Sequence, residues 1–193
     1  MAGPVAFADL RQRFPGLESP SAELLLRLLV AQDGSTTRLC EALAGTPVHE
    51  RVLSQRVTRD VPAALHDLLP GERFVESVRS LVACGDVLAD KLVYAALDGV
   101  DASLGEQLQT GLRPVGRLLA RRWVRREAVS VGPELLGRLW RVVGIADAAA
   151  LRSYRLCTHE GPQMLVCEAF RGGLWRHARR VLRSGPVLAG ATS

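Results

Sequence analysis

Two stretches of this chain close naturally as antiparallel hairpins, and they limit the fold more than any other feature. The first runs Phe74-Val-Glu-Ser-Val-Arg-Ser-Leu-Val-Ala83, turns at Cys84-Gly85-Asp86 and returns from Val87 to Leu97. The second runs from Ala149 to Thr158, turns over His159-Glu-Gly-Pro162 and returns from Met164 to Phe170. Runs rich in β-branched and aromatic residues, bounded by Gly, Pro and Asp, read as strands joined by tight turns. Two weaker strands flank them. Val48 to Arg59 alternates irregularly, which points to a bulge, and Val124 to Val131 is an irregular strand.

Helices fill the spaces between. Ser19 is placed as N-cap and Pro20 at the first helical position of a leucine-rich helix through Val30, which breaks at Asp33-Gly34. A second helix starts at Ser35 or Thr36 and ends near Ala44, making a helix-turn-helix whose polar turn suits a lid as well as packing. Shorter helices are expected over Val61–Leu69, over Leu104–Gln109, from Pro114-Val-Gly116 onward, and around Pro133–Trp140. Hairpins with helices between them give an α+β fold, an antiparallel sheet with helices packed on it. The 193 residues fit one domain. Residues 1–18 read as an N-terminal extension, 19–175 as the domain, and 176–193 as an arginine-rich and then Gly/Ala/Ser-rich tail with a frayed end.

The charge is lopsided. The net is +5, and of 25 basic side chains only Lys91 is a lysine. Nucleic acid is a natural partner for such a chain, but arginine and acid are mixed along most of its length. The densest stretch, Arg113 to Arg126, spaces its six arginines with apolar residues at helical period and reads as a solvated helix face. Aromatics at 5% are too few for a base-stacking platform. No apolar run reaches the roughly 18 residues of a membrane helix, and Met-Ala-Gly-Pro does not open a secretory leader. A cytoplasmic protein without nucleic-acid or membrane partners is expected. Cys40, Cys84, Cys157 and Cys167 form no CxxC pair, and His49, His66, His159 and His177 are scattered, so neither metal nor cofactor is expected. Cys84 and Cys167 read as small core hydrophobes.

The period of two picks out two charged residues. Val75, Ser77, Arg79, Leu81 and Ala83 share one face of their strand; Met164, Val166, Glu168 and Phe170 share one face of theirs. Burying either charge alone costs several kcal/mol, on the order of a broken buried ion pair, so each needs a partner. Two readings stand side by side. Arg79 and Glu168 pair with each other or with nearby charges, or they line a closed pocket. In a pocket the arginine forks onto a ligand carboxylate, and the glutamate has a raised pKa suited to proton transfer.

Four segments in order, Ala31-Gln-Asp-Gly-Ser-Thr-Thr-Arg38, Val78-Arg79-Ser-Leu-Val-Ala-Cys-Gly85, Leu112-Arg-Pro-Val-Gly-Arg117, and Tyr154-Arg155 leading to Cys167-Glu168-Ala-Phe170, resemble the chorismate pyruvate-lyase family. The similarity is greatest to its phenolic-glycolipid branch. It spans about Leu24 to Phe170. The resemblance implies a six-stranded antiparallel sheet, helices on one face, and helix-turn-helix flaps sealing a ligand pocket. It implies that Arg79 binds the ring carboxylate and that Glu168 acts at the hydroxyl end. Val115 and Ser35 would line the pocket beside the lid threonine, Thr36. Arg155 is expected either to hold the enolpyruvyl carboxylate or to support Glu168. Val115 stands where the family has leucine, Ser35 where one branch has methionine, and Cys167 where threonine is common. The first two shrink or polarise the pocket wall, and the third alters the surroundings of Glu168. The implied reaction splits chorismate into 4-hydroxybenzoate and pyruvate, driven by aromatisation, with no cofactor, and the aromatic product is held in the closed pocket. The same fold also serves as the effector domain of bacterial transcription regulators, whose DNA-binding domain is too large for residues 1–18.

Overall fold

The computed structural model describes residues 29, 31, 34–98, 102–110, 124–146, 150–159 and 161–184. The helix expected over 19–30 and the turn bearing Val115 lie outside these residues, apart from Leu29. The elements in chain order are α1 (Thr36–Ala44), β1 (His49–Thr58), α2 (Ala63–His66), β2 (Phe74–Ala83) and β3 (Asp86–Ala96). Then follow α3 (Ala102–Thr110), β4 (Arg125–Ala128), α4 (Pro133–Val143), β5 (Ala150–Thr158), β6 (Gly161–Phe170) and α5 (Gly172–Ser184). The six strands form one antiparallel sheet in the order β1-β2-β3-β6-β5-β4, so the two hairpins meet at its centre along β3 and β6. The fold is α+β with the sheet that the resemblance implies.

Strand alternation divides the core. One face of the sheet carries Phe74, Val78, Leu92, Tyr94, Leu165, Cys167 and Ala169, packed by Leu65 and Leu69 after β1 and by Leu135 and Leu139 of α4. Pro133 at the start of α4 and Gly144 just past its end (φ +74°) set that helix's limits. The other face bears two apolar clusters. Leu81, Ala89 and Phe170 pack under Cys40 and Ala44 of α1 and Leu174 and Trp175 of α5. Val75, Val93, Ala95, Tyr154, Met164 and Val166 form the second cluster. Helices therefore cover both faces: α2 and α4 on one, α1 with α5 on the other.

Helix α5 is not expected from the sequence, where the domain ends at 175 and an arginine-rich tail begins at 176. Gly172 and Gly173 start the helix. A Cβ on Gly173 would collide with the carbonyl oxygen of Val87, so only glycine lets α5 lie this close to the first hairpin. His177 and Ala178, beyond position 176, are buried in the same helix. Cys84 is also placed differently. It is exposed in the hairpin turn at φ +48°, whereas Cys167 is buried as expected.

Two bulges decide which side chains reach the second face. In β1 the register passes from Val52↔Arg79 to Ser54↔Val78, leaving Leu53 as the extra residue. In β3 it passes from Val82↔Val87 to Leu81↔Ala89, leaving Leu88 as the extra residue, buried in the core. A one-residue slip moves every later side chain to the other face.

Candidate functional site

A row of charged residues crosses the sheet between the two apolar clusters. Arg79 on β2 lies directly opposite Lys91 on β3, Lys91 opposite Glu168 on β6, and Glu168 opposite Arg152 on β5. All four point to the same face, since directly opposed residues share one. Arg79 is 3% and Glu168 0% exposed, and Arg152 is buried. Both residues singled out by period two thus lie on one covered face, four strands wide, with a lysine between them.

Glu168 is the hub. Oε2 accepts from Arg152 Nε at 2.5 Å. Oε1 accepts from Thr36 Oγ1 at 2.6 Å and, more loosely, from Tyr154 OH at 3.3 Å, with Lys91 Nζ 3.6 Å away. Arg152 also donates from Nη2 to Thr36 Oγ1 (2.6 Å) and from Nη1 to the Leu29 carbonyl (3.1 Å), so it ties the start of α1 to the sheet. Its guanidinium lies 5.1 Å over the Tyr154 ring and 5.8 Å over that of Phe170.

These contacts reverse the expected pKa of Glu168. Burial pushes it up, but the Lys91 and Arg152 charges and the hydrogen bonds from Thr36 and Arg152 outweigh burial and hold it below the ordinary carboxylate value. Glu168 is therefore an ionised acceptor at neutral pH, not a protonated acid. Tyr154 is shifted the other way. Burial and then the Glu168 charge raise its hydroxyl, which stays a donor. Cys40, one turn along α1 from Thr36, is pushed up to about 12 chiefly by burial and remains a neutral thiol.

Arg79 is satisfied from its own strand and from β1. Nε donates to Ser77 Oγ (2.9 Å), Nη1 to Glu50 Oε2 (3.0 Å) and Nη2 to Gln55 Oε1 (2.9 Å). Arg79 and Glu168 do not pair with each other; each has its own counter-charge, and Lys91 stands between. Lys91 is less well provided. Its side chain is 12% exposed, and among the described residues its ammonium has one ion pair, at 3.6 Å, and no hydrogen bond. That distance exceeds hydrogen-bonding range for an ammonium with three donors.

The remaining sequence-derived candidates separate clearly. Thr36 joins the row through Glu168 and Arg152. Ser35 caps α1, accepting from the Arg38 N–H at 3.4 Å, and is exposed. Val115 lies outside the described residues. Arg155 is not with the others: it sits opposite Leu165, three residues from the Arg152↔Glu168 pair and so on the other face. There it binds Glu127 Oε2 at 2.7 Å and the Leu68 carbonyl at 3.3 Å. Cys167 likewise turns away from the carboxylate of its neighbour Glu168.

Sequence reasoning missed Lys91, Arg152 and Glu50. Counting back from the Cys84-Gly85 turn in unbroken register sets Asp90, not Lys91, against Arg79. The bulge at Leu88 moves Asp90 opposite Ser80 on the other face, where it accepts from Ser80 Oγ (2.5 Å) and Arg171 Nε (2.6 Å). A single lysine among 25 basic residues, inside an apolar strand, was the signal for Lys91.

No protein-family model matches the chain, and no curated protein does. Solved structures similar to it include two regulator domains. One is the ligand-binding domain of a protein assigned to the GntR family of transcriptional regulators, from Bordetella bronchiseptica. It is 19% identical with a TM-score of 0.42 over 65% of this chain and 86% of that one. The other is the C-terminal domain of the histidine utilization repressor from Pseudomonas syringae. It is 14% identical with a TM-score of 0.43 over 76% of this chain and 99% of that one.

Proposed function

We propose that this chain binds a small cyclic carboxylate on the charged face of its sheet and acts as a chorismate pyruvate-lyase. The observation that carries the proposal is the placement of Arg79 directly opposite Lys91 on a covered face. Like charges at opposed positions are destabilising, and among the described residues Lys91 gains no hydrogen bond in return. Two cations abreast, with apolar clusters on both sides, suit a ring bearing carboxylates.

Chorismate has that form, with a ring carboxylate and an enolpyruvyl carboxylate. Arg79 anchors the first, as the resemblance implies, and Lys91 takes the second in place of Arg155, which faces away. Elimination passes the C4 proton to the departing enolpyruvyl oxygen, forms the ring double bond from that C–H pair, and breaks the C3–O bond. The enol of pyruvate leaves and the ring becomes aromatic. Glu168, ionised and held from three directions, serves this step by accepting a hydrogen bond from the C4 hydroxyl. The ligand hydroxyl would replace the loose contacts at Oε1, those from Tyr154 and Lys91. A base so stabilised is a poor proton acceptor, so orienting the hydroxyl is its primary role.

That same restraint on Glu168 favours a second reading, a carboxylate-binding module that does no chemistry. Incubation with chorismate separates the two. A lyase releases pyruvate and 4-hydroxybenzoate in equal amounts above the uncatalysed rate. A binding module releases neither, yet its melting temperature rises with 4-hydroxybenzoate, because a ligand selective for the folded state stabilises it.

A further inference from the structure

Arg79 is gripped from the edge of the sheet by two side chains that a regular strand would not bring together. Glu50 and Gln55 are five residues apart on β1, a spacing that sends them to opposite faces. The bulge at Leu53 reverses the alternation between them. Both then point to the charged face, Glu50 opposite Leu81 and Gln55 opposite Ser77. Glu50 reaches Nη1 through a single oxygen at 3.0 Å, and its side chain is 13% exposed at the rim. Gln55 occupies Nη2. This is a one-point contact, weaker than the two-point fork an arginine makes with a well-placed carboxylate.

We propose that Glu50 is an internal competitor for the Arg79 guanidinium, and so the residue that sets how tightly this site holds a ligand carboxylate. The inference rests on Arg79 and Lys91 being the carboxylate site, and not on any turnover. An incoming carboxylate forks onto Arg79, and Glu50 turns outward to water from the rim. Arg79 stays paired throughout, so one charge-assisted bond is exchanged for another and the net gain is small. Glu50 also lowers the local charge. Arg79 and Lys91 together carry two positive charges, and Glu50 cancels one. The wild-type site is therefore built for release as much as for capture.

Glu50→Gln keeps the shape and one acceptor but removes the charge; Glu50→Ala removes the contact altogether. Each variant and the wild type are titrated calorimetrically with 4-hydroxybenzoate and with its neutral analogue 4-hydroxybenzamide, after circular dichroism confirms the fold. The preference for acid over amide should rise at least tenfold in the variants, about 1.4 kcal/mol at 25 °C, with amide affinity unchanged. A merely structural Glu50 would move both ligands together. If the wild type binds the acid and neither variant's preference rises, Glu50 is not a competitor. If none of the three proteins binds the acid, the carboxylate site itself falls and Glu50's role with it. A chain that binds the acid but releases no pyruvate from chorismate refutes the lyase alone and leaves the Glu50 result valid.

Discussion

Replacing Glu168 with Gln should destabilise this protein more than almost any other single isosteric change. The carboxylate is fully buried and is the counter-charge shared by Arg152 and Lys91, whose side chains are 6% and 12% exposed. Removing one partner of a buried ion pair costs about 3–5 kcal/mol, because the remaining charge is left uncompensated. For a domain of this size each kcal/mol moves the melting temperature by about 2–4 °C, so a fall of roughly 6–20 °C is expected. The pH dependence gives a sharper check. The folded-state pKa of Glu168 lies below its ordinary value of 4.5. The stability its ionised form contributes is therefore complete above about pH 4.5. It is lost only as pH falls through the lower folded value. Urea unfolding of wild type and Glu168→Gln from pH 8 down to pH 3 should show a constant gap that narrows only at the acid end. Adding Arg152→Met should recover part of the loss but not all, since Lys91 still lacks a counter-charge. A Glu168→Gln variant as stable as wild type at pH 7, or a gap that closes between pH 7 and 6, would refute the ion-pair row.

Three further outcomes are expected. Lys91→Met removes a poorly paired cation opposite Arg79 and should leave urea stability unchanged or raised, while relieving one of the charges that hold Glu168 low. Gly173→Ala should cost about 1–3 kcal/mol by overpacking against the Val87 carbonyl, seen as a lower urea midpoint with an unchanged m-value. Arg155→Ala breaks a partly exposed pair with Glu127 on the far face, so it should cost at most about 1 kcal/mol. Its affinity for 4-hydroxybenzoate should stay within twofold of wild type.

The hairpins, the two weaker strands and the faces of Arg79 and Glu168 were legible because they depend on alternation within one strand, and helix α1 because Ser35 caps its start. What alternation cannot supply is register between strands. Leu88 and Leu53, two apolar residues unremarkable in sequence, shift the pairing by one. They bring Lys91 into the row and turn Glu50 and Gln55 onto Arg79. The choice between Arg152 and Arg155 has the same origin. Both are arginines of β5, and only the pairing with β6 places one of them against Glu168. Helix α5 was hidden for another reason: it begins at a glycine pair, and Gly173 serves close packing on Val87, a tertiary demand that local sequence does not display.

Calorimetric titration of 4-hydroxybenzoate into wild type and Arg79→Gln tests the carboxylate site most directly. One ligand should bind each wild-type chain, and Arg79→Gln, which loses the guanidinium assigned to the ring carboxylate, should bind it at least tenfold more weakly while remaining folded. Equal affinity in the two proteins, or no binding to wild type, would contradict the assignment of this charged row to a carboxylate ligand.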